Sequence, residues 1–145
     1  MRIRRIAAPI MTVVAAIAAA TSAQAGMPVL DALAMIETGA TKATVCKADY
    51  KVGRAGEVSR YQVKPSVWRK YSKCRTYHNP TEAKRVTKAI MSDRVKRFVV
   101  LKSRPPTTNE LYILWNAPGQ ILEGRGVPSR VVKERAQRFA NLVHH

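Results

Sequence analysis

The chain has 145 residues, 46% of them hydrophobic, and a formal net charge of +17 from 26 basic and 9 acidic side chains. This length allows one compact domain with a hydrophobic core, and the sequence shows neither an internal repeat nor a low-complexity tract. The charge implies an anionic partner or surface, which nucleic acid, anionic lipid and bacterial cell wall would all provide.

The first 25 residues have the features of a secretory signal peptide. Three arginines within the first five residues precede an apolar segment at 6–20, and Ala23 and Ala25 form a small-x-small cleavage pattern. A retained membrane anchor is the alternative, although this segment is short for a bilayer span. Cleavage would leave one domain at 26–145 with a net charge of +14, secreted or periplasmic and without stable membrane insertion.

Two cysteines, Cys46 and Cys74, remain after the signal segment. An even number of cysteines in an exported chain predicts a disulfide, which would stabilise the fold by roughly 3–4 kcal/mol in the chain-entropy model. The alternative adds His78 as a third ligand of a metal site. That signal is weak because the chain has no C-x-x-C pair, so we expect no metal and no cofactor.

The first predicted helix of the exported domain covers 28–38 and ends at Gly39, which can adopt the left-handed conformation of a helix cap. Residues 40–59 form a predicted loop rich in Lys, Gly and Arg. Pro65 then favours the start of a short helix. Basic residues cluster at 64–75, 84–104 and 125–138, where most are expected on solvated helix faces.

Three stronger helix starts follow. Asn79, Pro80 and Glu82 provide a cap, a first-turn proline and an acidic third position. The segment 97–101 is predicted as the buried end of this long helix, with a strand as the alternative. Thr107 begins the next helix, which Pro118-Gly119 should terminate, and Ser129 begins the last. The sum is an all-α domain of five or six helices.

The first helix carries an unexpected carboxylate. Leu30, Leu33 and Ala34 recur at helical spacing, and the next residue on that face is Glu37. An apolar surrounding disfavours the charged form, so the pKa of such a carboxyl rises. A carboxyl that keeps its proton near neutral pH is what a general acid needs to protonate a glycosidic oxygen. The alternative is an ordinary exposed residue of the last helical turn.

Three short motifs occur in a significant order. They are "ETG" at 37–39, "GEVSRYQVKP" at 56–65 and "LYILWNAPG" at 111–119. The order and content resemble the lysozyme-like superfamily, and within it the soluble lytic transglycosylase type of domain. That family has a helix-ending Glu, a G-L-M-Q-I-x-P-like stretch and an A-Y-N-x-G-like stretch. The present chain departs from the second pattern at Ser59-Arg60, and it has one additional residue in the third.

The resemblance implies a lysozyme-like fold and roles for individual residues. Glu37 would be the general acid, and Tyr112 would reach it from one turn before the third motif. Gln62 would donate and accept hydrogen bonds to sugar groups. The implied substrate-binding residues are Ser59, Tyr61, Gln62, Tyr112, Trp115 and Asn116. Tyr61 and Trp115 would act as flat platforms for sugar rings, although plain core packing is the alternative for both.

Glu57 is a candidate second carboxylate, since most glycoside hydrolases use two. It would activate a water molecule, whereas lytic transglycosylases resemble one-acid systems in which the substrate's own groups assist. The alternative is a solvated loop charge that neutralises Arg54 or Arg60.

The leading hypothesis is an exported, monomeric, peptidoglycan-cleaving enzyme without a cofactor. A second keeps the fold but makes the chain an inactive cationic wall-binding module. A third is a basic binder of nucleic acid or membrane surfaces, which the signal segment and the few aromatics on basic stretches disfavour.

Overall fold

The computed structural model describes residues 26–44 and 47–145. The predicted signal peptide and Cys46 lie outside the described residues. Cys74 is exposed and forms no disulfide with any described residue. The Cys46–Cys74 bond therefore stays a prediction.

The described chain is all-α, as predicted, and contains six α-helices. They are α1 (Val29–Thr38), α2 (Pro65–Trp68), α3 (Pro80–Lys102), α4 (Thr108–Asn116), α5 (Pro118–Leu122) and α6 (Arg130–His144). A short 3-10 turn, Lys47–Tyr50, interrupts the predicted loop between α1 and α2. None of the described helices is both long enough and apolar enough to cross a membrane.

Helix α1 ends as the sequence predicts. Gly39 has a φ of 71°, and its N–H donates to the Met35 carbonyl at 2.9 Å. The Thr38 hydroxyl donates to the Ala34 carbonyl at 2.7 Å. Because these bonds fix the last turn while Leu33 and Ala34 are buried, the helix places Glu37 at the edge of the core.

Side-chain caps begin α3, α4 and α6 at the predicted residues. Asn79 accepts from the Glu82 N–H, Thr107 and Glu110 form a complete capping box, and Ser129 accepts from the Val132 N–H. Two details differ from the prediction at helix ends. The end of α3 is not buried beyond Phe98, because the helix extends past the core, and Val100 is 81% and Leu101 54% exposed.

The second difference concerns Pro118, which does not simply terminate α4. Ala117 interrupts the helix with a φ of −137°, and Pro118 then occupies the first turn of α5, a position that suits a residue without an N–H.

The core lies where α4 and α6 pack together and contact α1, while α3 and α5 flank α4. Phe139 from α6 and Tyr112 from α4 are fully buried, with ring centroids 5.6 Å apart. Met27 ties the start of the described chain to α6 through its N–H, which donates to the Leu142 carbonyl at 2.9 Å. These contacts fix the ends of α1 and α4 relative to each other.

The segment before α2 is held by a buried ion pair and a tight turn. Arg60 Nε lies 3.1 Å from Asp49 Oδ1, and an Arg60 Nη2 bond to the Ala43 carbonyl anchors the preceding loop. Val58 and Val63 pair as an isolated antiparallel bridge around a four-residue turn. Arg60 thus pairs with Asp49, and not with Glu57 as one sequence alternative had it.

Candidate functional site

A groove of about 670 Å³ collects residues from all three motifs. Its walls come from the end of α1, the loop at 51–57, the turn before α2, the middle of α3, the end of α4 and one residue of α6. Glu37, Glu57, Gln62, Trp115 and Asn116 all line it. This size is typical of a ligand site, so the fold brings five of the predicted site residues to one cavity.

Glu37 is half-buried at this groove, and the Tyr112 hydroxyl donates to its Oε1 at 2.8 Å. Burial raises the pKa of the Glu37 carboxyl above its ordinary 4.5, and the nearby Glu57 acts in the same direction. Hydrogen bonding by Tyr112 and Asn116 and the charge of Arg135 oppose this rise in pKa without cancelling it. The predicted shift is confirmed, and Tyr112 reaches Glu37 as expected.

Gln62 occupies a constrained turn. Gln62 and Ser59 both have positive φ values, 51° and 66°, and the Gln62 N–H donates to the Ser59 carbonyl at 3.1 Å. The Gln62 side-chain Nε2 donates to the carbonyls of Lys51 and Ser59. Since both amide protons are used there, Gln62 offers only its Oε1 acceptor to a ligand, and not the donor and acceptor pair that the resemblance implies.

The side chains of Glu57 and Gln62 lie next to each other, and both come close to the backbone of Gly53. Its Oε2 accepts the Ala55 N–H at 3.0 Å, which fixes the carboxylate. A β-carbon at Gly53 would overlap both Glu57 Oε2 and Gln62 Oε1. Gly53 is therefore needed because two functional groups occupy the space that a side chain would fill. No sequence motif pointed to this role of Gly53.

Replacing Gly53 with alanine should displace the Glu57 carboxylate and the Gln62 amide, and it should lower the wall turnover that the resemblance implies by roughly 10- to 100-fold, because small errors in placement cost large factors in rate. The colliding atoms are ends of flexible side chains, so the fold should persist. Wall-digestion assays measure the first effect and urea unfolding the second. Full activity in the folded variant would contradict a role of these two groups in turnover.

Trp115 and Asn116 occupy the end of α4. Asn116 is exposed at the groove and acts on the Glu37 carboxyl through a hydrogen bond. The Trp115 side chain is only 7% exposed, and the Arg94 guanidinium lies 5.3 Å from its ring centroid. Trp115 can therefore contact a ligand through an edge, but it offers no open face as a sugar platform.

Tyr61 and Ser59 do not line the groove. Tyr61 is 1% exposed in the core, and burial raises its pKa to about 12. The Ser59 hydroxyl is buried and accepts the Tyr61 N–H at 3.2 Å. Both residues are turned away from the groove, because the turn directs Tyr61 inward and uses Ser59 to hold its own backbone, which favours the core-packing alternative for Tyr61.

The cations of the groove are Lys51, Arg54, Lys64, Arg94 and Arg135, and none of them was predicted from the sequence as a site residue. Arg94 had a signal of its own, since it lies four residues after Ile90 and four before Phe98 on the buried face of α3. A charged residue at helical spacing on an apolar face was the signal that identified Glu37, and the same signal would have identified Arg94. Arg135 had no comparable signal, since its approach to Glu37 depends on how α6 packs.

Among the residues that the structure describes, no three His, Cys, Asp or Glu side chains are grouped so that they could hold a metal ion. His78 instead stacks on Tyr50, with ring centroids 4.7 Å apart. Comparison with known proteins gives no relative, since no family model, no curated protein and no solved structure matches the chain. The resemblance to lytic transglycosylases therefore depends on the three sequence motifs alone.

Proposed function

We propose that the chain is an exported enzyme that cleaves the β-linked glycan strand of peptidoglycan, with Glu37 as its general acid. The observation that carries this proposal is the half-buried Glu37 carboxyl, held by Tyr112, in a groove that also contains Glu57 and Gln62. Burial keeps its proton available at higher pH, as protonation of a leaving group requires. The secretory character of residues 1–25 supports delivery to the wall.

The proposed first step transfers the Glu37 proton to the glycosidic oxygen as the bond from that oxygen to the sugar's anomeric carbon breaks. The leaving sugar departs with a hydroxyl group, and positive charge develops on the remaining ring. The deprotonated Glu37 then carries a negative charge beside this ring. Hydrogen bonding by Tyr112 and Asn116 stabilises that carboxylate form.

Two nucleophiles can complete the reaction. A water molecule that loses its proton to a carboxylate gives a reducing sugar. The C6 hydroxyl of a muramyl residue, losing its proton to the deprotonated Glu37, instead bonds to the anomeric carbon and closes a 1,6-anhydro ring. Glu57 is the candidate base for water because its carboxylate is fixed by the Ala55 N–H and lines the same groove as Glu37. Gln62 Oε1, beside Glu57, is an acceptor for a sugar N–H or hydroxyl.

Digestion of purified cell wall tests the proposed activity. The protein is incubated with wall sacculi, and mass spectrometry analyses the soluble fragments. Release above the level of a Glu37→Gln control is expected. Protein that sediments with the wall and releases nothing above that control would overturn the enzymatic proposal.

Replacing Glu57 with Gln separates the two mechanisms. We expect the lytic transglycosylase route, in which the substrate supplies its own nucleophile, so turnover should change less than about threefold and the products should end in anhydromuramic acid. Loss of turnover by about 100-fold or more, the range for removal of a general base, together with reducing-end products in the wild type, would assign a hydrolytic water to Glu57 instead.

A specific observation favours an inactive wall-binding module as the second candidate. Five cations line the groove against two carboxylates, which suits retention of an anionic polymer without any chemistry. The digestion experiment separates this candidate from the first, because a module would sediment with the wall as an enzyme does but would release no fragments above the level of the Glu37→Gln control.

A further inference from the structure

Arg94 lines the groove with an incomplete set of hydrogen bonds. Its Nη1 atom donates to the carbonyls of Leu114 and Trp115 at 2.9 and 2.6 Å. These two bonds use both protons of Nη1 and hold the last turn of α4. The three N–H groups on Nε and Nη2 have no acceptor within the described part of the chain.

The guanidinium is rigidly placed and partly withdrawn from water. The two carbonyl bonds fix one edge, and the Trp115 ring lies against its face at 5.3 Å. Burial lowers the pKa of Arg94, yet arginine remains charged in proteins. The free N–H groups are not among the buried unpaired atoms of the described residues, so they meet water in the groove and are open to an acceptor on a ligand.

Neither groove carboxylate is that acceptor. Glu37 is bonded to the Tyr112 hydroxyl and Glu57 to the Ala55 N–H, and Arg94 forms no ion pair with either. The other basic side chains around the groove add positive charge, so an anion is favoured there. The forked donors of a guanidinium match the two oxygens of a carboxylate.

We propose that Arg94 is a specificity-determining residue that binds a carboxylate carried by the glycan strand. This inference rests on the proposed function, and it names the feature of the substrate that the groove selects. On a muramyl glycan the carboxylate comes from the lactyl group of a stem-free muramic acid or from the peptide stem. A strand of N-acetylglucosamine alone carries neither.

Calorimetric titration in the Glu37→Gln background measures this selection without turnover. The three ligands are a stem-free muramyl tetrasaccharide, the same tetrasaccharide with peptide stems, and chitotetraose. Arg94→Gln should weaken binding of a carboxylate-bearing ligand about 10-fold or more, the range for a hydrogen bond to a charged group. Its affinity for chitotetraose should stay within about twofold. The muramyl ligand that loses affinity identifies the lactyl or the stem carboxylate as the bound group.

Lys88→Gln is the matched control, because it removes one exposed positive charge from the same helix outside the groove. It should leave all three affinities unchanged. If Arg94→Gln does not fold, Arg94→Lys carries the same comparison, since lysine keeps the charge but lacks the fork.

Equal losses for all three ligands would mean that Arg94 only holds α4, and no loss for any ligand would remove its role in binding. Both results would overturn this inference while leaving the glycan-cleaving proposal intact. Failure of the Arg94-intact protein to bind any of the three ligands would instead contradict the proposed function itself.

Discussion

Glu37→Gln should lower the rate of wall cleavage by about 10²–10⁴-fold, the usual range for loss of general acid catalysis. Glutamine keeps the shape of the side chain and still accepts the Tyr112 hydroxyl, which lies 2.8 Å from Glu37 Oε1. It cannot give a proton to the leaving oxygen. Turnover of wall sacculi measures the loss, and sedimentation with the wall should be unchanged because the basic groove remains.

The wild-type rate should also fall as the pH rises through the elevated pKa of Glu37, because the acid form is then lost. Stability provides the control. Above pH 4.5, the ordinary pKa of a glutamate, the folded protein retains a proton that the unfolded chain has released. The free energy of unfolding therefore falls with pH in that window.

Glu37→Gln has no such penalty, so at neutral pH it should be at least as stable as the wild type, and this advantage should vanish below pH 4.5. Urea unfolding at several pH values measures the difference. A variant that cleaves wall at the wild-type rate would exclude Glu37 as the acid.

Trp68→Ala should reduce the free energy of unfolding by about 3–5 kcal/mol, the range for removal of a large buried aromatic side chain. Trp68 is fully buried, its Nε1 donates to the Cys74 carbonyl at 2.7 Å, and Tyr77 meets its ring edge-on at 5.2 Å. These contacts attach the segment between α2 and α3 to the core. A loss of this size is a large share of the stability of a small domain.

Trp68→Phe should cost less, since it keeps most of the ring contacts and loses only the hydrogen bond to Cys74. Val100→Ala is the surface control, because Val100 is 81% exposed, and its effect should lie within about 0.5 kcal/mol. A Trp68→Ala loss no larger than that of the surface control would show that this segment is not packed as described.

The features that sequence analysis predicted well depend on local interactions. The caps at Asn79, Thr107 and Ser129 involve residues three positions apart, and the Gly39 cap involves a single backbone conformation. The position of Glu37 followed from helical spacing in the same way. Each of these signals is contained in one turn of the chain and does not depend on the packing of other elements.

The features that were missed or wrong depend on tertiary contacts or on unusual backbone. Ser59 and Gln62 are left-handed, so the side chains between them do not alternate and the inward direction of Tyr61 could not be read from spacing. Arg135 reaches the groove only because α6 packs against α1 and α4. Gly53 is explained by two side chains that arrive from later in the chain.

Glu37 lies in the last turn of α1, two residues before the Gly39 cap. The peptide dipoles of a helix give its C-terminal end a partial negative charge of about half an elementary unit. This field disfavours a carboxylate by about 0.3–1 kcal/mol at an exposed helix end, so the backbone of α1 adds to the effect of burial in retaining the proton. The same capped turn that ends the helix therefore also acts as an electrostatic element beside the acid.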